Sequence, residues 1–422
     1  MEDGRFLEYL YNDWFKNYKD MDLLEFQYHY RLYRYGNHNR INQENWISIK
    51  KEYLKDFGRQ LICIKKALSG KKNSQILGGK NILSSAYFGV NKYLRDLGYN
   101  TFDGPWRVNG SEHFIEDLNY ISSYYSFQRK LSNLSFQDLI SEGGEKLIKE
   151  IVEKTCGMFK SNKIDAFIAN STHTYSNRIP LKAAQMVGLP TFVFLHGIPF
   201  PFYYEEPERS DYMIVWSEKI KENFVKMTNF PANRIYVSGH PLYTKLEHDT
   251  FRFSFDNVLI ICPSCEAERN QDRGNMVWFL YQLESVLKKM GAKHARFRPH
   301  PHEDPNWYLK FVNKDFFKID VRPISQALMD STLVVGTIST VVLEALYYGV
   351  NYVLYDPLDD KGINIYGHKP VPPFDGTDPY LPVARTMDDL ERLMRERIQV
   401  DKRLFDEYIQ TPFDISFIKN MI

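Results

Sequence analysis

The sequence predicts an α/β protein of two Rossmann-like domains facing across a cleft, opened by a helical segment and closed by helices. Three observations carry this. From Lys163 to Val237, and again from Val258 to Tyr355, apolar runs alternate with amphipathic stretches, the texture of strand–helix units wound around a parallel sheet. A polar stretch with neither a helical nor a strand period, 243–255, separates the two runs and suits a linker. The chain's 422 residues are enough for two to three domains of ~150 residues with sizeable cores, which excludes disordered and fibrous classes.

The elements follow in order. Residues 1 to about 80 carry apolar positions at helical spacing, as at Leu7, Leu10, Trp14 and Phe15, and predict a helical opening. Strands are expected at Ala166–Ala169, Thr191–Leu195, Tyr212–Trp216 and Ile235–Val237, with helices at Ile179–Val187 and Glu218–Met227. The second run gives strands at Val258–Cys262, Ala295–Arg298, Leu333–Val335 and Tyr352–Tyr355, with a helix at Thr340–Tyr348. Helical texture returns at Asp388–Arg397 and Lys402–Ile409. The expected organisation is a domain over 1–242, a linker over 243–255, a second domain over 256–384 and C-terminal helices over 385–422.

Composition narrows the function. Lys and Arg total 54 against 53 Asp and Glu, so the strongly basic balance expected when a whole surface serves nucleic acid is missing. Cys63, Cys156, Cys262 and Cys265 are too few and scattered for a disulfide scaffold, and Met1-Glu-Asp-Gly lacks the basic and apolar regions of a signal peptide. A reducing, cytoplasmic compartment is expected. The most apolar long stretch, Leu333–Tyr355, is interrupted by Glu344 and Gly349 and makes a poor bilayer span, which leaves peripheral attachment to a membrane compatible with the sequence.

Open α/β sheets bind ligands at the carboxyl ends of their strands, so polar residues there are the candidates. Three constellations stand out. Thr191-Phe-Val-Phe-Leu-His196-Gly197 delivers a histidine at the end of an apolar strand, where it can act as a general base or donate to a phosphate. The competing role is a hydrogen bond to a loop. Arg296-Phe-Arg298-Pro-His300-Pro-His302 places Arg298 and His300 in a proline-stiffened loop suited to charge-assisted bonds with phosphate. Zinc is the competing reading, but no third ligand lies at a metal-like spacing. In Val334-Val-Gly336-Thr-Ile-Ser339-Thr340, a strand and a glycine turn lead to two hydroxyls at the start of a helix, where an anion is favoured. Ordinary capping would select the same residues. Glu344, one turn further on, is suited to accepting from ribose hydroxyls.

Weaker signals complete the set. Asn170-Ser171-Thr172-His173 follows a strand and supplies acceptor-side amides and hydroxyls, and Asp103-Gly104 offers a cleft carboxylate. Cys262-Pro-Ser-Cys265 has redox spacing but reads as buried structural cysteines. Asp20-Met-Asp22 has the form of a metal-holding pair, yet a solvated helix face explains it. Gly239-His240-Pro241 reads as the turn closing a domain.

The strand leading to His196-Gly197, the Ser238-Gly239-His240-Pro241 segment, the Arg298-Pro-His300-Pro301 loop and Ser339-Thr340 with Glu344 resemble the two-domain GT-B glycosyltransferases over most of residues 160–360. Within these, the sequence is similar to bacterial surface-polysaccharide enzymes with CMP- or CDP-activated donors: sialyl- and polysialyltransferases, Kdo transferases and teichoic acid glycerophosphotransferases. The resemblance implies His300 as phosphate ligand, Ser339 and Thr340 as its partners and His196 as a candidate base. The acidic-acidic-Gly motif of polysialyltransferases has its letters at Glu2-Asp3-Gly4 and a partial match at Asp103-Gly104.

Imidazole, arginine and a helix start can together stabilise a leaving phosphate without a divalent ion. With this chemistry, the resemblance implies metal-independent, inverting transfer of a nonulosonic acid from a CMP-activated sugar donor to a glycan or lipid-linked glycan acceptor, with Asp103 and His196 as candidate catalytic residues and no cofactor. Donor-side residues are Arg298, His300, Gly336, Ser339, Thr340 and Glu344. A CDP-glycerol-type glycerophosphotransferase, a UDP-sugar epimerase and a non-catalytic glycan-cluster protein are the alternatives.

Overall fold

Runs such as Ala166-Phe-Ile-Ala169 are apolar on both faces, and strands of this kind need cover on both sides, as in parallel sheets wound with helices. A computed structural model describes residues 46–69, 78–108, 110, 112–133, 142–171, 175–199, 210–262, 273–300, 305–365 and 368–422. It contains two such sheets.

The first comprises β1 (Asn81–Ser84), β2 (Asn100–Asp103), β3 (His113–Phe114), β4 (Ile164–Ala169), β5 (Thr191–Phe194), β6 (Tyr212–Val215) and β7 (Ile235–Val237), in the order β3-β2-β1-β4-β5-β6-β7. Pairing is parallel from β3 to β6, with Leu83 opposite Phe102 on one side and Phe167 on the other. The second comprises β8 (Val258–Ile261), β9 (Ala295–Arg298), β10 (Phe317–Ile319), β11 (Leu333–Gly336), β12 (Tyr352–Tyr355) and β13 (Val383–Ala384). Its order is β10-β9-β8-β11-β12-β13 and all its ladders are parallel.

Each sheet therefore grows outward in both directions from its first strand. The switch points lie between β1 and β4 and between β8 and β11, and in open sheets of this type the carboxyl ends at a switch point form the ligand crevice.

The α-helices of more than four residues are α1 (Trp46–Ser69), α2 (Val90–Asp96), α3 (Leu118–Asn133), α4 (Glu142–Ser161), α5 (Tyr175–Met186), α6 (Glu218–Met227), α7 (Arg273–Lys289), α8 (Ile324–Met329), α9 (Val341–Tyr347), α10 (Met387–Arg395) and α11 (Arg403–Tyr408). Local chemistry sets several starts. Ser217 caps α6 by accepting from Ile220 N at 3.3 Å, and Thr386 with Asp389 forms a capping box on α10. Among the described residues, no helix is long and apolar enough to cross a membrane.

Strands expected from the sequence are present to within two residues, but the first sheet begins earlier than expected. β1, β2 and β3 precede Lys163, where the strand–helix texture sets in. They are two to four residues long, and Asn81, Asn100 and Asp103 give them polar ends, so their sequence lacks a strand signature although β2 is buried throughout. The expected helical opening is realised as α1 at 46–69, while Leu7, Leu10, Trp14 and Phe15 lie outside the described residues.

The stretch 243–255 is fastened rather than loose. Arg252 bridges Val350, and its guanidinium donates to the carbonyls of Ser331, Leu328 and Tyr348 at 3.0, 3.2 and 3.0 Å. By compactness the chain falls into two units. Residues up to His196, the stretch ending at Ile214 and Asp414–Ile422 form one; the chain from Gly197 and Val215–Phe413 form the other.

The Ser238-Gly239-His240-Pro241 segment has a structural explanation within the second unit. Gly239 sits at φ 77°, and a Cβ there would lie 2.4 Å from the Gln410 carbonyl oxygen. His240 is buried against Trp216 and Tyr243 at centroid distances of 4.4 and 4.2 Å, its Nδ1 accepts from Leu242 N, and burial lowers its pKa to about 3. It is a neutral packing histidine. Gly239→Ala combines a left-handed backbone with a main-chain clash, so the urea midpoint should fall by an amount equivalent to about 1–3 kcal/mol. An unchanged midpoint would show that this close approach is absent in solution.

Candidate functional site

Polar residues gather at the switch point of the first sheet. His196 follows β5, and its Nδ1 lies 2.8 Å from the carbonyl oxygen of Asn170, the residue after β4. A carbonyl only accepts, so in the neutral ring Nδ1 carries the hydrogen and Nε2 the basic lone pair. The edge of the ring meets Tyr87 at a centroid distance of 5.6 Å. Behind it runs a buried row: Asn177 Nδ2 donates to Asn170 Oδ1 at 2.7 Å, and Ser85 Oγ donates to Asn177 Oδ1 at 2.8 Å. Asn170 and Ser171, expected as acceptor-side residues, are both buried, and the Asn170 side chain is engaged in this row. Thr172 and His173 lie outside the described residues.

Asp103 ends β2 but does not lie open at its tip. Its carboxylate is fully buried, Oδ2 accepts from Glu112 N at 3.0 Å, and Oδ1 stands 3.5 Å from Arg107 Nε. A Cβ on Gly110 would come within 1.9 Å of Oδ2, so a glycine is required where the backbone at residue 110 passes the carboxylate. Burial raises its pKa to about 6 against the opposing charge of Arg107. Lys66 of α1 donates to the Val108 and Gly110 carbonyls and fastens the same loop. The sequence suggested a cleft carboxylate at Asp103; in the structure it anchors a loop.

In the second unit, the two arginines of β9 differ. Arg296 is saturated by Asp320, Asn257 and Ser331 at 2.7, 2.8 and 2.6 Å and is structural. Arg298, at the carboxyl end, donates to the carbonyls of Asp320 and Arg322, which orient its guanidinium without cancelling its charge. Glu344 on α9 senses that charge. Burial raises its pKa to about 7, and Arg298 acts in the opposite direction. His300, two residues beyond β9, is partly exposed, whereas Pro301 and His302 lie outside the described residues.

Ser339 and Thr340 lead into α9, which starts at Val341 and not at Thr340. Ser339 Oγ accepts from Val341 N at 3.2 Å. Thr340 Oγ1 accepts from Ile198 N at 2.9 Å, and a Cβ on Gly197 would lie 3.0 Å from that oxygen, so the glycine after His196 admits the threonine. Gly336 has a packing reason: a Cβ would meet the Tyr352 hydroxyl at 2.3 Å, and that hydroxyl donates to Thr337 O at 2.6 Å. The glycine makes room inside the sheet layer, which accounts for it without a phosphate.

Ser85 and Asn177 were not among the sequence candidates. Their residue types are ordinary, and only the β1–β4 pairing and the placement of α5 bring them together. The buried Asp356–Arg385 pair at the end of β12, at 2.6 Å, was likewise unsignalled. Cys262 is a buried free thiol as expected; Cys265, Asp20, Asp22 and Glu2-Asp3-Gly4 lie outside the described residues. Among the described residues, no group of three or more His, Cys, Asp or Glu could hold a metal ion.

No family model matches the chain. Nor does any curated protein. Solved structures of similar fold include the UDP-GlcNAc 2-epimerase of Neisseria meningitidis bound to UDP-GlcNAc, at 10% identity and TM-score 0.44 over 81% of this chain and 97% of that one. Acinetobacter baumannii MurG is similar at 12% identity and TM-score 0.43, covering 78% and 93%. The H444N variant of the wall teichoic acid polymerase TagF is similar at 11% identity and TM-score 0.44, covering 89% and 96%. At such identities the likeness concerns the fold, and the function has to be argued from the residues.

The Glu344 carboxyl gives a test with a defined sign. Its folded pKa of about 7 lies above the ordinary value of 4.5, so its stabilising contribution is complete below about pH 4.5 and is lost as pH rises through about 7. Glu344→Gln should match the wild-type melting temperature near pH 5 and exceed it near pH 8. A variant less stable than wild type at the higher pH would contradict this placement.

Proposed function

We propose that this protein is a metal-independent, inverting glycosyltransferase that moves a nonulosonic acid from a CMP-activated donor to a glycan acceptor of a surface polysaccharide. The observation that carries the reading is the 2.8 Å bond from His196 Nδ1 to the Asn170 carbonyl, which leaves Nε2 as the basic nitrogen at the carboxyl end of a parallel sheet.

In this reading Nε2 takes the proton from an acceptor hydroxyl as its oxygen attacks the anomeric carbon. The bond from that carbon to the phosphate oxygen breaks and CMP departs. Arg298 and the His300 imidazole hold the growing phosphate charge, with the Ser339 and Thr340 hydroxyls as further donors. A carboxyl near its midpoint at neutral pH, as at Glu344, can both accept from and donate to ribose hydroxyls. Single displacement inverts the anomeric centre. A lipid-linked acceptor would bring the enzyme to the inner face of a membrane as a peripheral protein.

Incubation with a CMP-nonulosonate, CDP-glycerol and UDP-GlcNAc, each with and without EDTA, tests the donor class by nucleotide release and epimer formation. CMP release insensitive to EDTA is expected. CDP-glycerol turnover alone would make the protein a glycerophosphotransferase, UDP-GlcNAc turnover alone would make it an epimerase-type enzyme, and EDTA-sensitive release would overturn the metal-independent step. His300→Ala should lower turnover by at least ~10²-fold. His196→Ala should lower kcat by ~10²–10⁴-fold while CMP affinity is kept, and weakened CMP binding in that variant would make His196 a ligand instead of a base.

A further inference from the structure

The row behind His196 has a purpose beyond filling the switch point. We infer that Asn177 and Ser85 are positioning residues that set which nitrogen of His196 is basic. This deepens the reading of His196 as the base and rests on it for the catalytic consequence, though not for the tautomer itself.

The argument starts from Asn170. Its main-chain carbonyl receives the imidazole Nδ1–H at 2.8 Å, and a carbonyl can hold a ring in one tautomer only if its own peptide plane is fixed. Asn170 follows the last residue of β4, so no further strand ladder fixes that plane. Its side chain supplies a constraint: Oδ1 is gripped by Asn177 Nδ2 at 2.7 Å, and Asn177 is itself fixed by Ser85 Oγ at 2.8 Å. Ser85 is tied back to the sheet through its N–H to the Ile168 carbonyl at 2.8 Å. The bonds all run one way, hydroxyl to amide oxygen and amide nitrogen to amide oxygen, and the members are buried, at 6% exposure for Ser85, 4% for Asn177 and 9% for Asn170. The Ser85 hydroxyl also lies 3.4 Å from the Ile168 carbonyl, and neither buried amide can turn over by itself without setting like atoms against each other. The row therefore links β1, α5, β4 and the histidine after β5, and carries no proton itself.

The test reads the tautomer directly. Protein labelled with ¹⁵N-histidine is compared as wild type, Asn177→Ala, Ser85→Ala and Ser85→Thr, with the His196 signals assigned by their loss in His196→Gln. The neutral wild-type ring should be the Nδ1–H form. Asn177→Ala and Ser85→Ala should admit the Nε2–H form, lower kcat by about ten- to hundredfold and leave the donor KM unchanged, and Ser85→Thr should restore both readouts. An Nδ1–H ring in every variant, with activity lost only in step with melting temperature, would reduce the row to a structural one and overturn the inference. If Asn177→Ala does not fold, the Ser85 pair decides. A tautomer that shifts as expected in a protein whose His196→Ala variant turns over normally would sink the base assignment alone and leave the positioning role standing.

Discussion

Strands buried on both faces can present polar groups only at their ends. In this chain that constraint places much of the candidate chemistry: β1, β4 and β5 are apolar through their middles and release Ser85, Asn170 and His196 beyond their carboxyl ends, β11 releases Ser339 and Thr340, and β9, half-buried with Arg296 in its middle, ends on Arg298 and releases His300. Parallel pairing then brings the exits of a sheet to one edge. Both sheets share the same order about their first strand, so the same rule acts twice.

Burial divides the ionisable groups by what surrounds them. His240, enclosed by Trp216 and Tyr243, is held neutral far below ordinary histidine values and serves packing. Asp103 and Asp356 are raised to about 6 and each is paired with one arginine, which suits carboxylates that tie loops to strand ends. Glu344 differs because the charge that opposes its desolvation belongs to Arg298, a residue oriented by main-chain carbonyls. Residues of one type thus serve unlike ends, and their neighbours make the difference.

Much of this is legible in the sequence. Long, fully apolar runs such as Thr191–Leu195 and Val258–Cys262 announce their strands, and the residues that end them announce the candidates. The short strands of the first sheet were not legible, because Asn-Thr-Phe-Asp acquires its burial from β1 and β3 and not from its own letters. Gly336 and Gly197 were visible as glycines, but their reasons, a tyrosine hydroxyl and a threonine oxygen, come from residues 16 and 143 positions away.

The sequence by itself determined the class of architecture, two rounds of strand and helix, and the identity of the histidines and the arginine at the strand ends, because hydrophobic periodicity and punctuation are local properties. Only the tertiary structure decided that His196 is paired through Nδ1, that Asp103 is closed beneath its own loop, and that Ser85 and Asn177 stand behind the imidazole. These depend on which strands become neighbours. Hydrogen bonds between groups 26 and 92 residues apart exist only once the sheet has assembled and excluded water from them.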